Sequence, residues 1–272
     1  MKTLYLECNM GAAGDMLMAA LYELLDDQAG FLRTMNGLGL PGVAVEAQAA
    51  STCGIAGTHM AVTVCGEEEE SHDEGHSHHA HTHEGPGHSH DHGHGGHHHA
   101  ALTDIRGHIA ALPLPQAVRD RAVSVYDRLA AAEARAHGCP VDQVHFHEVG
   151  ALDAVADVAG VCLLVHMLGV ERIVASPVHV GSGQVRCAHG ILPVPAPATA
   201  HILRDVPIYG GAIRGELCTP TGAALLKHFV TEFGAMPVMK VKKIGYGMGN
   251  KDFEAANCVR ALLGETAGGG DE

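Results

Sequence analysis

The segment from Val149 to Leu168 sets the strongest constraint on how this chain folds. Projected at 100° per residue, it places Val, Leu, Ala, Cys or Met on nearly every face, which describes a helix enclosed on all sides. Other elements must wrap around it, and 272 residues with 46% hydrophobic content can supply that enclosure as one large domain or two smaller ones. Only Asp153, Asp157 and His166 interrupt the apolar pattern. The two aspartates are four apart and lie one above the other on one face. Burying carboxylates side by side is unfavourable unless a cation, a hydrogen-bond donor or a shared proton compensates. That face is expected to meet a metal, a basic side chain or a ligand. The alternative is that Asp153 sits at the helix N-terminus as acids in a first turn do.

Just upstream, His145 and His147 alternate, so in an extended segment both point to one side, and Glu148 follows. Imidazole with carboxylate suits borderline divalent cations such as Ni, Zn, Co or Mn. The competing reading has both rings bonded to backbone carbonyls. His145, His147, Asp153 and Asp157 are thus candidate metal ligands, with Asp15, Glu148 and Asp153 as candidate catalytic carboxylates.

The remaining ordered sequence reads as α/β, a mixed sheet packed by helices. Residues 2–8 alternate like a strand and run through Asn9-Met10-Gly11-Ala12-Ala13-Gly14-Asp15 into a helical pattern. Strand, Gly-rich turn and helix can cradle an anion on free N–H groups, though nothing completes a P-loop and the glycine spacing is not that of a dinucleotide site. Asp15 is either a cap or a ligand for a cation that accompanies a nucleotide. Val43–Ala47 and His59–Cys65 suggest two strands, and Thr103 is placed to cap a short helix ending at Leu112. Residues 116–137 carry the clearest amphipathic pattern, stopped by Gly138, with Arg and Glu on the solvated face. Arg172–Val180 reads as a strand ending in Gly181-Ser182-Gly183, a second candidate phosphate cradle. Cys187 and His189, two apart, form a soft pair for Ni or Zn, or pack without a metal. A helix with Pro220 in its first turn should run to about Phe233, and a strand from Val238 to Lys242 should give way to a loop at Gly245–Gly249. A last strand begins at Cys258, and 265–272 is expected to be a disordered tail.

One tract departs from this composition. From Glu67 to His99 there is no Leu, Ile, Val, Met or aromatic residue, and 13 of the 23 histidines lie there. Nothing in it can pay for a packed structure, so 67–99 is expected to be a disordered insertion in a single domain made of 1–66 and 100–264. Neutral imidazoles such as His76, His78, His79, His81 and His83 can wrap Ni, Cu or Zn in many geometries.

A net charge of −14, no Trp and no Lys/Arg cluster beyond Lys240, Lys242 and Lys243 argue against nucleic acid or a membrane surface as partner. No apolar run is long enough to span a bilayer and no signal sequence opens the chain, so a cytoplasmic location is expected. The eight cysteines contain no Cys-x-x-Cys, which fits reduced thiols.

Taken together, Gly14-Asp15-Met16, His145-Phe146-His147-Glu148-Val149-Gly150-Ala151-Leu152-Asp153, Gly181-Ser182-Gly183, Cys187-Ala188-His189-Gly190, Pro193-Val194-Pro195-Ala196-Pro197, Cys218-Thr219-Pro220-Thr221-Gly222 and Gly245-Tyr246-Gly247 form a specific set. This set resembles the LarC family of nickel insertion proteins, over residues 1 to about 264. The resemblance implies a nickel chelatase of the lyase class. It would place nickel in pyridinium-3,5-bisthiocarboxylic acid mononucleotide to make the nickel-pincer cofactor of lactate racemase, with CTP hydrolysis and Mn or Mg as helper ion. Full-length members carry a further C-terminal domain associated with CTP and oligomerisation. The chain is expected to end where that domain would start, so that the CTP-dependent step is either absent from this chain, leaving it inactive alone, or supplied by a separate product.

On this reading nickel gathered by the histidine tract passes to His145, His147, Glu148, Asp153 and Asp157, with Cys187 and His189 as further ligands. Gly11, Gly14, Gly181, Ser182 and Gly183 would receive the substrate phosphate, and the lactate racemase apoprotein is the downstream recipient. Two other classes stay open: a nickel storage or delivery protein without catalysis, and a metal-dependent hydrolase using an activated water. Self-association is a further option.

Overall fold

A computed structural model describes residues 1–68, 100–146, 151–187 and 190–267. The histidine tract from 69 to 99, residues 147–150, 188 and 189, and the end of the tail lie outside the described residues. In chain order the elements are β1 (Lys2–Glu7), α1 (Gly14–Tyr22), α2 (Gln28–Asn36), β2 (Val43–Thr52), β3 (Ile55–Val64), β4 (Glu67–Glu68), β5 (Ala100–Ala101), α3 (Leu102–Ala111), α4 (Gln116–His137), β6 (His145–Phe146) and α5 (Leu152–Leu168). There follow β7 (Arg172–Ala175), β8 (Val178–His179), β9 (Gly181–Ser182), β10 (Gln184–Cys187), β11 (Gly190–Pro193), α6 (Pro197–Ile202), β12 (Ile208–Tyr209), β13 (Gly215–Glu216), α7 (Pro220–Phe229), β14 (Glu232–Phe233), β15 (Met239–Met248) and β16 (Cys258–Thr266).

The architecture is mixed α/β. The main sheet has the order β14-β7-β1-β16-β15-β3-β2, with β4 added to β3. β1, β7 and β14 are parallel neighbours, while β16 is antiparallel to both β1 and β15. The parallel pairs need crossovers, and helices supply them: α3, α4 and α5 precede β7, and α6 and α7 precede β14. Loops that follow β1 and β7 therefore gather at the carboxyl edge of the parallel strands, where ligands of open α/β sheets bind.

The apolar helix ends up where its composition demands. From Ala154 to Val165 every residue of α5 except Asp157 is buried, and its core is continuous with residues from both sides of the histidine tract. On the opposite face of the sheet Tyr5, Val174 and Leu262 form a small separate cluster with Met239. β1 is consequently covered on both faces, and Thr3 and Tyr5 are buried as well as Leu4 and Leu6.

α4 spans Gln116–His137 and stops at Gly138 in the left-handed conformation (φ 63°), as its periodicity predicts. Thr219 caps α7 by accepting from the Gly222 N–H at 3.2 Å. Four expectations need correction. α3 begins one residue before Thr103, and Asp104 rather than Thr103 accepts the Ala101 N–H. α7 stops at Phe229, because Glu232–Phe233 turns into an edge strand against β7. β2 and β3 are longer than predicted and join through Cys53 and Gly54, both at positive φ. Gly245–Gly249 is not a loop: β15 continues to Met248, and β16 runs on to Thr266.

The glycines explain the last of these four corrections. A Cβ on Gly247 would fall 1.8 Å from the Met16 carbonyl oxygen, and one on Gly245 2.1 Å from that of Ala20. Their absence lets the backbone of α1 lie directly on β15, which fixes the height of α1 above the sheet. Gly247→Ala is expected to destabilise the protein by about 3 kcal/mol or more, since the clash is with backbone rather than a flexible side chain. Urea unfolding of the variant against the parent checks this.

Candidate functional site

Three carboxylates meet where the N-terminus of α1 rests on α5. Asp15 lies in the first turn of α1, and Asp153 and Asp157 in the first two turns of α5. The contact is close because residue 14 is glycine: a Cβ there would sit 2.4 Å from the Asp157 Oδ2. The backbone N–H of Asp15 favours the charged form of the Asp157 carboxylate, which stands close to the first turn of α1 where a capping side chain or an anion would sit. Ala13, the residue at the cap position, has no side-chain acceptor to offer.

The electrostatics are those of crowded acids. Burial, then the neighbouring Asp15 and Asp153, push the Asp157 carboxyl well above the usual carboxylate range. Burial raises Asp15 as well, with the Met16 N–H and His59 pulling the other way. Oδ1 of Asp153 and Oδ1 of Asp157 are enclosed and have no hydrogen-bond partner. The same holds for the hydroxyl of Tyr126 on α4, whose ionisation is opposed first by burial and then by these two aspartates. Each unsatisfied buried group costs about 1–3 kcal/mol, a cost that a hydrogen-bond donor or a positive charge placed here would relieve.

Its rim belongs to the two segments that carry the histidines. His59 on β3 contacts the Met248 carbonyl through Nδ1 at 3.2 Å and Glu68 through Nε2 at 2.9 Å. Glu68 is the last described residue before the histidine tract, and its charge acts on both Asp15 and Asp157. On the other side of the tract Ala101 pairs with His145, and Phe146 packs edge-on against Tyr126 at 6.3 Å. The chain thus leaves at Glu68 and returns at Ala100 beside the same pocket. His147 and Glu148 lie outside the described residues, in the five-residue connection between β6 and α5.

The glycine segments also converge, through residues 215–218. Ala12 N–H donates to the Leu217 carbonyl at 3.0 Å, and β9 pairs with β13. A Cβ on Gly11 would lie 1.9 Å from the Leu217 oxygen and one on Gly181 2.0 Å from that of Gly215, so close backbone packing accounts for both. Gly183 faces open space, and the Ser182 hydroxyl donates to the Ile213 carbonyl at 2.8 Å. Cys187 stands apart on the hairpin β10–β11, and His189 lies outside the described residues, as do His76, His78, His79, His81 and His83.

Among the described residues no three His, Cys, Asp or Glu side chains are placed to hold a metal ion. The sequence did not single out Tyr126, which reads as one more core residue in the apolar stripe of α4; its unpartnered hydroxyl shows only in three dimensions. His179 was missed as well: it is buried, stacks on Tyr209 at 4.7 Å and contacts the Asn9 carbonyl at 2.9 Å, leaving Nε2 without a partner.

Residues 4–272 match the family model described as nickel insertion protein. The chain belongs to this family. It is 40% identical over 267 residues to the pyridinium-3,5-bisthiocarboxylic acid mononucleotide nickel insertion protein of Desulfitobacterium hafniense, covering 98% of this chain and 59% of that one. Proteins of the same name from Staphylococcus saprophyticus (38%, 95% of this chain and 59% of that one) and Clostridium kluyveri (40%, 97% and 62%) are similar. This member of the nickel insertion family spans about three fifths of the length of these relatives. No solved structure matches it. Among the described residues no helix is long and apolar enough to cross a membrane.

Asp157→Asn is expected to stabilise this protein. The raised folded-state pKa means that the aspartate's favourable protonated form prevails near pH 4 and that stability is lost as pH rises from there towards the folded value. The amide keeps an acceptor for the Asp15 N–H and has no charge to bury. Melting curves should show a gain of a few degrees at pH 7 that shrinks towards pH 4.

Proposed function

We propose that this chain carries a nickel ion, as cargo, to a sulfur-bearing pyridinium mononucleotide. The carboxylates of Asp15, Asp153 and Asp157 would be the ordered staging point, completed by His145, His147 and Glu148. The single observation that carries this reading is the convergence of three carboxylates, two with enclosed unpartnered oxygens, at the point where the histidine tract leaves and rejoins the fold. The names of the relatives supply the substrate.

The chemistry runs down a gradient of ligand preference. Flexible imidazoles gather nickel with high capacity and low selectivity. Carboxylates hold it less tightly than thiocarboxylate sulfurs would, so transfer to the substrate is downhill. Loading the site displaces the protons that crowding places on Asp15 and Asp157, and proton uptake on release favours unloading. Gly11, Gly14, Gly181, Ser182 and Gly183 are the proposed seat for the substrate phosphate, with Gly183 the most open of them. Cys187 and His189 are proposed as accessory ligands at the mouth.

In its finer form the reading is a nickel chelatase, a lyase, working with CTP and Mn or Mg and serving lactate racemase in the cytoplasm. It rests on the resemblance in the motifs. The domain division, with 1–66 and 100–264 forming one unit around the insertion, is part of the same proposal.

Nickel titration of the whole chain and of a variant lacking 69–99, with mass spectrometry of the mononucleotide after mixing, tests the reading. The deletion should lower nickel capacity to one ordered site and preserve transfer at excess nickel. Asp153→Asn with Asp157→Asn should leave capacity in the tract and abolish transfer. Loss of all binding with the tract would instead make the chain a storage or delivery protein.

A further inference from the structure

A second site of opposite charge lies beside the buried face of α4. α4, α6 and α7 pack together and leave between them a cleft of about 410 Å³. Arg128 and Arg135 enter it from α4, seven residues apart and so on one stripe of the helix. Arg204 and Lys227 enter from the ends of α6 and α7, with His201 between them. Asp205 is the one carboxylate in the lining. The chain as a whole has 17 Lys and Arg against 31 Asp and Glu, so a cleft with four permanent cations and one acid reverses the sign of its surroundings.

The cations are not used up by the fold. The carboxylates at neighbouring positions of α4 are engaged elsewhere, Asp127 by Arg106 and Glu133 by His137. Lys227 donates to the Arg204 backbone carbonyl at 2.6 Å, which fixes the ammonium in the wall and leaves its charge uncompensated. The local potential is felt nearby: burial and then Arg128 and Arg121 lower the pKa of His228. Arg121, seven residues before Arg128, lies over the Phe229 ring at 5.9 Å and closes the stripe at one end. Ala132 and Ile202, both buried, form an apolar floor.

Like charges held together in a fixed cleft repel, and a surface without a role would disperse them or pair them. We infer that this cleft is a binding site for a phosphate-bearing small molecule of nucleotide size, held by Arg128, Arg135, Arg204 and Lys227. Guanidinium forks suit the tetrahedral oxygens of phosphate, and Asp205 can accept from a hydroxyl of the same ligand. The volume lies in the range of small-molecule pockets, which favours a small anion over an acidic peptide. The site is separate from the carboxylate pocket and does not depend on it.

Calorimetric titration of the whole chain with pyrophosphate and with AMP tests this, with sulfate and a poly-glutamate octapeptide as comparisons. Pyrophosphate, AMP or both should bind, and sulfate should bind at least about ten-fold more weakly. Which of the two binds more tightly separates a polyphosphate from a nucleoside monophosphate as the source of the phosphate. Arg128→Gln with Arg204→Gln should weaken binding by roughly 30-fold or more, through loss of two charge-assisted contacts. Arg33→Gln, an exposed cation elsewhere, and Asp157→Asn should both leave it unchanged. Circular dichroism melting shows that the double variant is folded. Absence of heat with both phosphate compounds, equal binding of sulfate, tighter binding of the peptide, or full binding by the folded double variant would each overturn the inference.

Discussion

The close seating of the α1 N-terminus on Asp157 joins the two helices on which the rest of the site depends. It places the positive end of α1 against an acid of α5 and requires glycine at position 14, because any side chain there would displace the carboxylate. The height of α1 is set independently by Gly245 and Gly247 of β15, so the contact cannot relax by lifting the helix. A pair of helices pinned in this way holds Asp15, Asp153 and Asp157 together although their charges repel. The arrangement stores an electrostatic cost in the folded protein that a cation relieves.

A staging site for a metal needs that property. Ligands already satisfied by hydrogen bonds would compete with the ion, and ligands arranged as a complete, closed shell would keep it. Here two carboxylate oxygens and the Tyr126 hydroxyl are enclosed without partners, and the described residues alone place no three ligating side chains around one ion. His59, bridging the Met248 carbonyl and Glu68, ties the start of the histidine tract to the sheet at the pocket's rim. On our reading, the capacity of the tract and the selectivity of the pocket are neighbours by construction. The basic cleft behind α4 would let an anionic small molecule bind without approaching those acids.

The sequence made the buried helix legible because an all-round apolar segment has one physical solution, and the same segment pointed to Asp153 and Asp157 as the anomaly within it. α4 and the Thr219 cap were legible for equally local reasons. Gly245-Tyr246-Gly247 was misread as a loop, since glycine signals both turns and close packing and only the neighbour, here α1, distinguishes them. The same ambiguity covers Gly11 and Gly181, which meet the backbone of 215–217. Tyr126 was invisible because a phenol in an apolar stripe looks like core, and the cleft because Arg128, Arg135, Arg204 and Lys227 are distant in sequence and read singly as a solvated face. The pairing of Asp15 with α5 depends on the register of two helices far apart in the chain, which no local pattern encodes.

The central claim is that nickel rests on the carboxylates of α1 and α5 rather than on thiols or on the histidine tract alone. Crystals of the nickel-loaded chain, measured at the nickel absorption edge, test it most directly. The account predicts an anomalous peak in the pocket within bonding distance of Asp153 or Asp157, and its loss in the Asp153→Asn, Asp157→Asn variant. A peak confined to Cys8, Cys218 or Cys187, or no ordered nickel between α1 and α5 at full loading, would contradict it.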